Sequence, residues 1–294
     1  MGSIQAATIC EVVKDLCIKA ATVLPDDVVE ALKTSRLQES EPVAVDVLDM
    51  ILENAQIART EGIPICQDTG VTHVFLEVGQ DARVVGDLYE AVSMGVARGY
   101  TQGYLRKSVV RDPLFARANT GDNAPPVIHV DLVPGRSDVK ITVMPKGTGS
   151  ENMSGIAMLT PAAGPEGVAQ FVIDTVKKAG PNACPPLVIG VGIGGMMDYA
   201  ALLAKKALLR PIGRRNPEPR VSALEEEILT QVNRLGIGPG GLGGRTTALA
   251  VAIETYPTHI GALPVAVNLQ CHAARSASAS IGGLPNTEND RDRI

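Results

Sequence analysis

Apolar residues recur at three-to-four spacing through most of the first sixty positions, the repeat of helices with one buried face. Ile9, Val12, Val13, Leu16, Cys17 and Ala20 make such a face within Ile4 to Thr22. Asp26 and Asp27 suit the start of a second helix, where the helix dipole favours negative charge. A third runs from Pro42, a good first-turn residue, to Gly62, a good stop. The pattern then changes. Thr72 to Val78 is strand-like and Gly86 to Arg98 helical. Val127 to Val133 and Asp138 to Val143 alternate, with Pro134-Gly135-Arg136-Ser137 between them, which predicts a β-hairpin and a partly antiparallel sheet. His129 falls on the polar face of the first of these strands, as an exposed residue would. Glu166 to Ala179 is helical, Leu187 to Val191 an apolar strand, and Met197 to Leu209 and Ser222 to Leu235 helices. Val265 to Leu269 is the last strand of the pattern.

Helices alternating with strands predict an α/β fold with a mixed sheet and helices packed around it. The expected organisation is a helical N-terminal region over 1–62, an α/β region over 63–284 within one domain overall, and a polar, disordered tail over 285–294.

Composition narrows the function. The 294 residues carry a formal charge of −5, and the most basic stretch, Arg210 to Arg220, is broken by prolines and reads as a solvated loop. That argues against nucleic acid as a partner. No apolar run reaches the ~18–20 residues of a membrane span, and the N-terminus lacks the basic start and apolar stretch of a signal peptide. A cytoplasmic protein is expected. Five scattered cysteines make a disulfide framework improbable. Cys10 and Cys17 lie seven apart on one helix face and read as core. Cys66, Cys184 and Cys271 sit at boundaries between elements, beside Gly or Pro. Their spacing matches no local zinc pattern, yet remote thiolates converge if loop ends do, and three sulfurs leave a metal position open.

Pro64-Ile65-Cys66-Gln67-Asp68-Thr69-Gly70 packs a thiol, a carboxamide, a carboxylate and a hydroxyl into four consecutive positions. A connection between rigid elements is where scaffolds place chemistry, although a polar turn with a buried thiol has the same letters. Gly190-Val-Gly-Ile-Gly-Gly195 fits the dinucleotide pattern G-x-G-x-x-G, but about 20 residues on the chain offers arginines rather than the acid that holds a ribose. An NADP-dependent dehydrogenase is therefore a rival, and close backbone packing the plainer explanation. Lys146-Gly-Thr-Gly-Ser-Glu-Asn152 lacks the order of a P-loop but suits an anion nest. Gly236 to Gly244, with six glycines, suits close backbone approach. Thr258-His259-Ile260 and Asn268-Leu-Gln-Cys271-His-Ala-Ala-Arg275 close the ordered chain.

Taken together, Pro-Ile-Cys-Gln-Asp-Thr-Gly, Lys-Gly-x-Gly-Ser-Glu-Asn, Cys-Pro-Pro-Leu-Val-Ile-Gly-Val-Gly-Ile-Gly-Gly, Tyr-Pro-Thr-His and Asn-Leu-Gln-Cys-His-Ala resemble the iron–sulfur hydro-lyases, the class I fumarate hydratases and L(+)-tartrate dehydratases. The resemblance spans about residues 5–283, and the chain is similar in extent to the separate α subunit of the two-subunit forms. It implies a [4Fe–4S] cluster held by Cys66, Cys184 and Cys271 with one iron open to substrate. It implies substrate contacts from Gln67, Asp68 and Thr148, proton transfer at Asp68, an active-site role for His259, and an Arg106 that reaches a neighbouring subunit. Thr148 departs from the glycine frequent in the single-chain enzymes. The implied reaction is hydration of fumarate to (S)-malate, with L(+)-tartrate dehydration as the alternative and a non-catalytic iron–sulfur protein as a further rival. A homodimer of this chain and a separate β subunit that completes the pocket are the implied partners.

Overall fold

The computed structural model describes residues 3–282; the predicted tail lies outside them. Two compact units divide the described chain.

The first unit gathers residues 3–22, 66–146 and 275–282. Its sheet has the order β10-β5-β2-β4, with β2 at Val71–Gly79, β4 at Val127–Val133, β5 at Val139–Lys146 and β10 at Ala277–Ile281. Two helices, α1 (Ala6–Thr22) and α4 (Leu88–Gln102), share its apolar core with Val74, Leu76, Ile141 and Val143. They approach closely because α4 offers glycines: a Cβ on Gly95 would stand 2.6 Å from the Cys10 carbonyl. Cys10 and Cys17 are buried on this face, as their spacing predicts. Ile4 and Gln5 depart from the expected helix and, with Ser3, form β1 (Ser3–Gln5), parallel to β3 (Arg83–Val85).

The expected hairpin does not form. Strands β4 and β5 lie on opposite sides of β2, β4 parallel to it and β5 antiparallel. The five-residue turn between them passes over the end of β2, where Gly79 donates its N–H to the Asp138 carbonyl and Gln80 donates to that of Val133. A Cβ on Gly79 would stand 2.4 Å from the Arg136 carbonyl, so glycine is what lets the chain cross. His129 is not an exposed strand residue either. It is half-buried, stacked on Phe75 at 4.8 Å and on His73 at 5.9 Å between ring centroids.

The second unit, residues 23–65 and 147–274, holds a sheet of order β6-β9-β7-β8. Its strands are β6 (Gly155–Leu159), β7 (Leu187–Gly195), β8 (Ala248–Thr258) and β9 (Leu263–Gln270). Ile189 and Val191 of β7 pack in one core with helices α6 (Gly164–Ala179) and α8 (Pro219–Asn233). Gly190 and Gly192 alternate to the other face, beneath α7 (Met197–Ala207). Cβ atoms there would stand 2.1 Å from the Ala204 carbonyl and 2.0 Å from that of Ala200. The G-x-G-x-x-G pattern therefore lies inside a strand and serves helix packing. Helices α2 (Asp26–Gln38) and α3 (Pro42–Glu61) form a further core with Ile65 and Ala273, against which the partly buried Cys271 packs. Gly62 closes α3 in the left-handed conformation at φ 68°. Arg210 is no solvated loop residue: it is nearly buried, paired at 2.6 Å with Glu225, itself 1% exposed.

Helices on both faces of a mixed sheet, and a second mixed sheet with its own helices, make the fold α/β as expected.

Candidate active site

In the first unit the site begins with the Cys66–Gly70 connection into β2, which is held from several sides. Tyr100, fully buried on α4, donates its hydroxyl to the Thr69 carbonyl at 2.6 Å and accepts from the Thr72 hydroxyl at 3.1 Å. Burial pushes the Tyr100 phenol above its ordinary range, so it stays a donor. Asn123, also fully buried, donates its amide to the Gly70 carbonyl at 3.1 Å and accepts from Ser108 and Val109 N–H groups. Thr69 donates its hydroxyl to the Arg106 carbonyl at 2.7 Å, and Arg275 donates to the Asp68 carbonyl. Gly70 takes φ 74°, and a Cβ there would stand 2.5 Å from the Lys146 carbonyl. Three consecutive carbonyls of the loop, Asp68 to Gly70, are thus held by buried side chains.

What the loop presents outward is chemistry. Cys66 and Asp68 are half-buried and Gln67 is exposed. Asp68 Oδ1 accepts the Gly70 N–H at 3.0 Å, which orients the carboxylate. The exposed Arg106 guanidinium donates to the Gln67 carboxamide of the same chain at 3.5 Å.

In the second unit the topology brings two cysteines together. Strands β7 and β9 are antiparallel neighbours in register Val188 to Gln270. The start of one therefore lies beside the end of the other. Cys184 precedes β7 and Cys271 follows β9, and the His272 N–H donates to the Cys184 carbonyl at 3.2 Å. Cys184 is exposed and takes the left-handed conformation at φ 55°, a costly one for a residue with a Cβ. Its turn is braced by the glycine-rich loop: Gly240 donates to the Pro185 carbonyl at 2.9 Å, and a Cβ on Gly241 would stand 2.3 Å from Pro181. The short helix α5 (Thr148–Glu151) packs near the same turn, with Gly149 facing the Asn182 carbonyl and Thr148 exposed. Glu151 accepts from Asn268 at 2.9 Å and from Lys205, tying that helix to β9 and α7.

His259 stands elsewhere. It is exposed just beyond β8, whose Thr258 is in register with Gly195 at the far end of β7. Nine strand residues at ~3.3 Å each put it about 30 Å from the Cys184 turn.

The donor set fits an iron–sulfur group. Cys66, Cys184 and Cys271 would be soft thiol ligands and are only partly buried or exposed, whereas Cys10 and Cys17 are buried and burial pushes their thiols up. Among the described residues no three His, Cys, Asp or Glu side chains are drawn together as the ligands of a single ion.

Sequence reasoning missed Tyr100, Asn123 and the role of Arg275. Tyr100 falls on the apolar face of α4 and so resembles core, and no spacing rule signals Asn123. Arg275 follows the Cys271 motif but offers no pattern of its own.

Two cysteine turns thus meet at one end of a mixed sheet, in an α/β chain that also carries an acid-bearing cysteine loop. The chain matches the family model of fumarate hydratase (Fumerase) over residues 10–280, and it belongs to that family. It is 43% identical to a protein of Methanocaldococcus jannaschii provisionally named L(+)-tartrate dehydratase subunit alpha, over 92% of this chain and 96% of that one. It is 35% identical to L(+)-tartrate dehydratase subunit alpha of Escherichia coli, over 95% of this chain and 92% of that one. Among the described residues no helix is long and apolar enough to cross a membrane.

Proposed function

We propose that this chain is the α subunit of an iron–sulfur hydro-lyase that interconverts fumarate and (S)-malate, with Cys66, Cys184 and Cys271 holding a [4Fe–4S] cluster. The observation that carries the reading is the pairing of the Cys184 and Cys271 turns through the His272 N–H. When bound, the cluster would supply a Lewis-acidic iron that eases the departure of hydroxide, a poor leaving group.

The remaining work falls to the chain. Loss of water from malate needs a base for the proton beside a carboxylate. Asp68 is the carboxylate whose backbone and Oδ1 are both fixed, and a positioned base contributes about 10²–10⁴-fold. Gln67 and Arg106 offer a carboxamide and a guanidinium fork to a substrate carboxylate, and Thr148 a hydroxyl. His259 is too distant from the Cys184 turn to serve the same copy, so in this reading it acts on the site of a second copy in a homodimer.

A second reading, L(+)-tartrate dehydration, is favoured by the names of the two relatives described above. The substrates differ by one hydroxyl. Both relatives are named as alpha subunits, which supports a separate β chain here too. The test is anaerobic reconstitution of the purified chain with iron and sulfide, followed by assays on fumarate and L(+)-tartrate with and without the β chain. Cluster uptake, and turnover only in the presence of the β chain, is expected. A wild-type chain that takes up no iron would overturn the cluster assignment.

A further inference from the structure

We infer that Arg275 is a positioning residue for the cluster: one arm of its guanidinium fixes the Asp68 peptide, and its remaining N–H groups and charge are kept for the anionic iron–sulfur group. The inference rests on the cluster reading above. Arg275 is 2% exposed, and its Nη2 donates to the Asp68 carbonyl. Its Nε and Nη1 are buried and meet no acceptor among the described residues. Among the described residues no carboxylate pairs with it either, and its hydrogen-bond partner there is a neutral carbonyl.

A guanidinium cannot shed its proton as a buried lysine can, so it stays charged. A buried cation without a counter-charge is costly, and such groups are paired with charges or ligands. Where the described residues supply no anion, a bound group would. Clamping one carbonyl needs only one neutral donor, which leaves the charge and two N–H positions unexplained by structure alone. A substrate carboxylate that comes and goes would need a way in, and Arg275 is closed to solvent. A resident group suits the burial better. The residue Arg275 holds is two places from Cys66, and in the sequence it is four places from Cys271. A [4Fe–4S] core of charge 2+ bound by three thiolates is an anion overall, and hydrogen bonds and charge beside such clusters set their potential.

The experiment compares wild type, Arg275→Gln and Arg275→Lys, each as the full chain reconstituted anaerobically, without reference to activity. Three readouts are taken: iron and sulfide per chain, the rate of bleaching in excess chelator, and the reduction potential of the cluster. Outer partners of metal ligands typically matter by about 10–100-fold in affinity. Arg275→Gln is therefore expected to bleach about 10–100-fold faster than wild type and to have a lower potential, because the lost cation favoured the more negative reduced state. Arg275→Lys, with the charge but not the fork, is expected between the two. Wild-type bleaching rate and potential in Arg275→Gln would overturn the inference. If circular dichroism shows the apo form of Arg275→Gln unfolded, Arg275→Lys decides: faster bleaching supports the inference, and a wild-type rate overturns it. If both apo variants are unfolded, Arg275 is a structural residue and the inference fails. A wild-type chain without iron is a different result, the failure of the cluster reading itself.

Discussion

Cys17 and Cys184 are the same side chain in opposite surroundings. Cys17 is fully buried among Val13, Val96 and Tyr100, and burial pushes its thiol far up. Cys184 is exposed on a strained turn. Reactivity follows the thiolate, so alkylation of the native apo chain is expected to label Cys184 first and leave Cys10 and Cys17 unmodified until denaturant is added. Correspondingly, Cys184→Ser and Cys271→Ser should each lower iron per reconstituted chain, and Cys10→Ser should not. Iron lost from Cys10→Ser but kept in Cys184→Ser would reverse the ligand assignment. Asp68 makes a separate prediction. Asp68→Asn keeps the size and the Gly70 contact but cannot take a proton, so turnover should fall by about 10²-fold or more with iron per chain unchanged. Turnover within about threefold of wild type, well below what a base contributes, would remove Asp68 from that role.

Among the elements, the helices were the most legible part of the sequence. The Pro42 start and Gly62 stop of α3 are local signals, and the structure places the helix at Pro42–Glu61. Strand order was not legible, because pairing is decided by residues far apart in the chain. Val127–Val133 and Val139–Lys146 look like a hairpin because a short turn joins them, yet β2, which precedes both, lies between them. Strands Ala248–Thr258 and Ala277–Ile281 were missed. Ala277–Ile281 alternates small and hydroxyl residues and carries little apolar signal. For the site, the cysteine boundaries could be read, but not the buried Tyr100 and Asn123 that hold the loop's carbonyls.

Two predictions belong at this scale. Gly192→Ala would push a Cβ against the Ala200 carbonyl and the Ala204 nitrogen, backbone atoms that cannot swing away. Overpacking of this kind costs about 1–3 kcal/mol, a Tm fall of about 2–12 °C. Under a dinucleotide-binding role the same change would instead alter NADP affinity, which titration by fluorescence would detect. The turn over β2 carries the other. Arg136 donates to both carboxylate oxygens of Asp138, at 2.9 and 2.6 Å, and holds that carboxyl below its ordinary value of 3.8. A carboxyl depressed by folding stabilises the protein above its unfolded pKa and loses that contribution as pH falls through the folded value. Stability should therefore drop below about pH 4, and Asp138→Asn should flatten this drop in denaturant midpoints measured across that range. An unchanged acid slope in the variant would contradict the assignment.

At the scale of the whole molecule, the charges decide what is missing. A four-carbon substrate brings two carboxylates, and a desolvated charge is costly unless paired. Of the site residues assigned to this chain, Arg106 is the exposed cation, held by a single 3.5 Å contact to Gln67. The expected outcome is that the reconstituted chain alone holds its cluster but turns over neither fumarate nor tartrate until a β chain is added. Full activity of the chain alone would sink the claim of a second subunit. The sheet order β10-β5-β2-β4 has another consequence, for the time before the protein is complete. Strand β5 ends at Lys146, and the strand that covers its outer edge begins only at Ala277. At about 5–20 residues per second on the ribosome, that edge waits roughly 7–26 s for its partner. Through that interval it is an open row of backbone donors and acceptors beside the apolar Val139, Ile141 and Val143. The newborn chain is most exposed to aggregation then, and a chain cut after residue 274 would keep that edge bare for as long as it lasted.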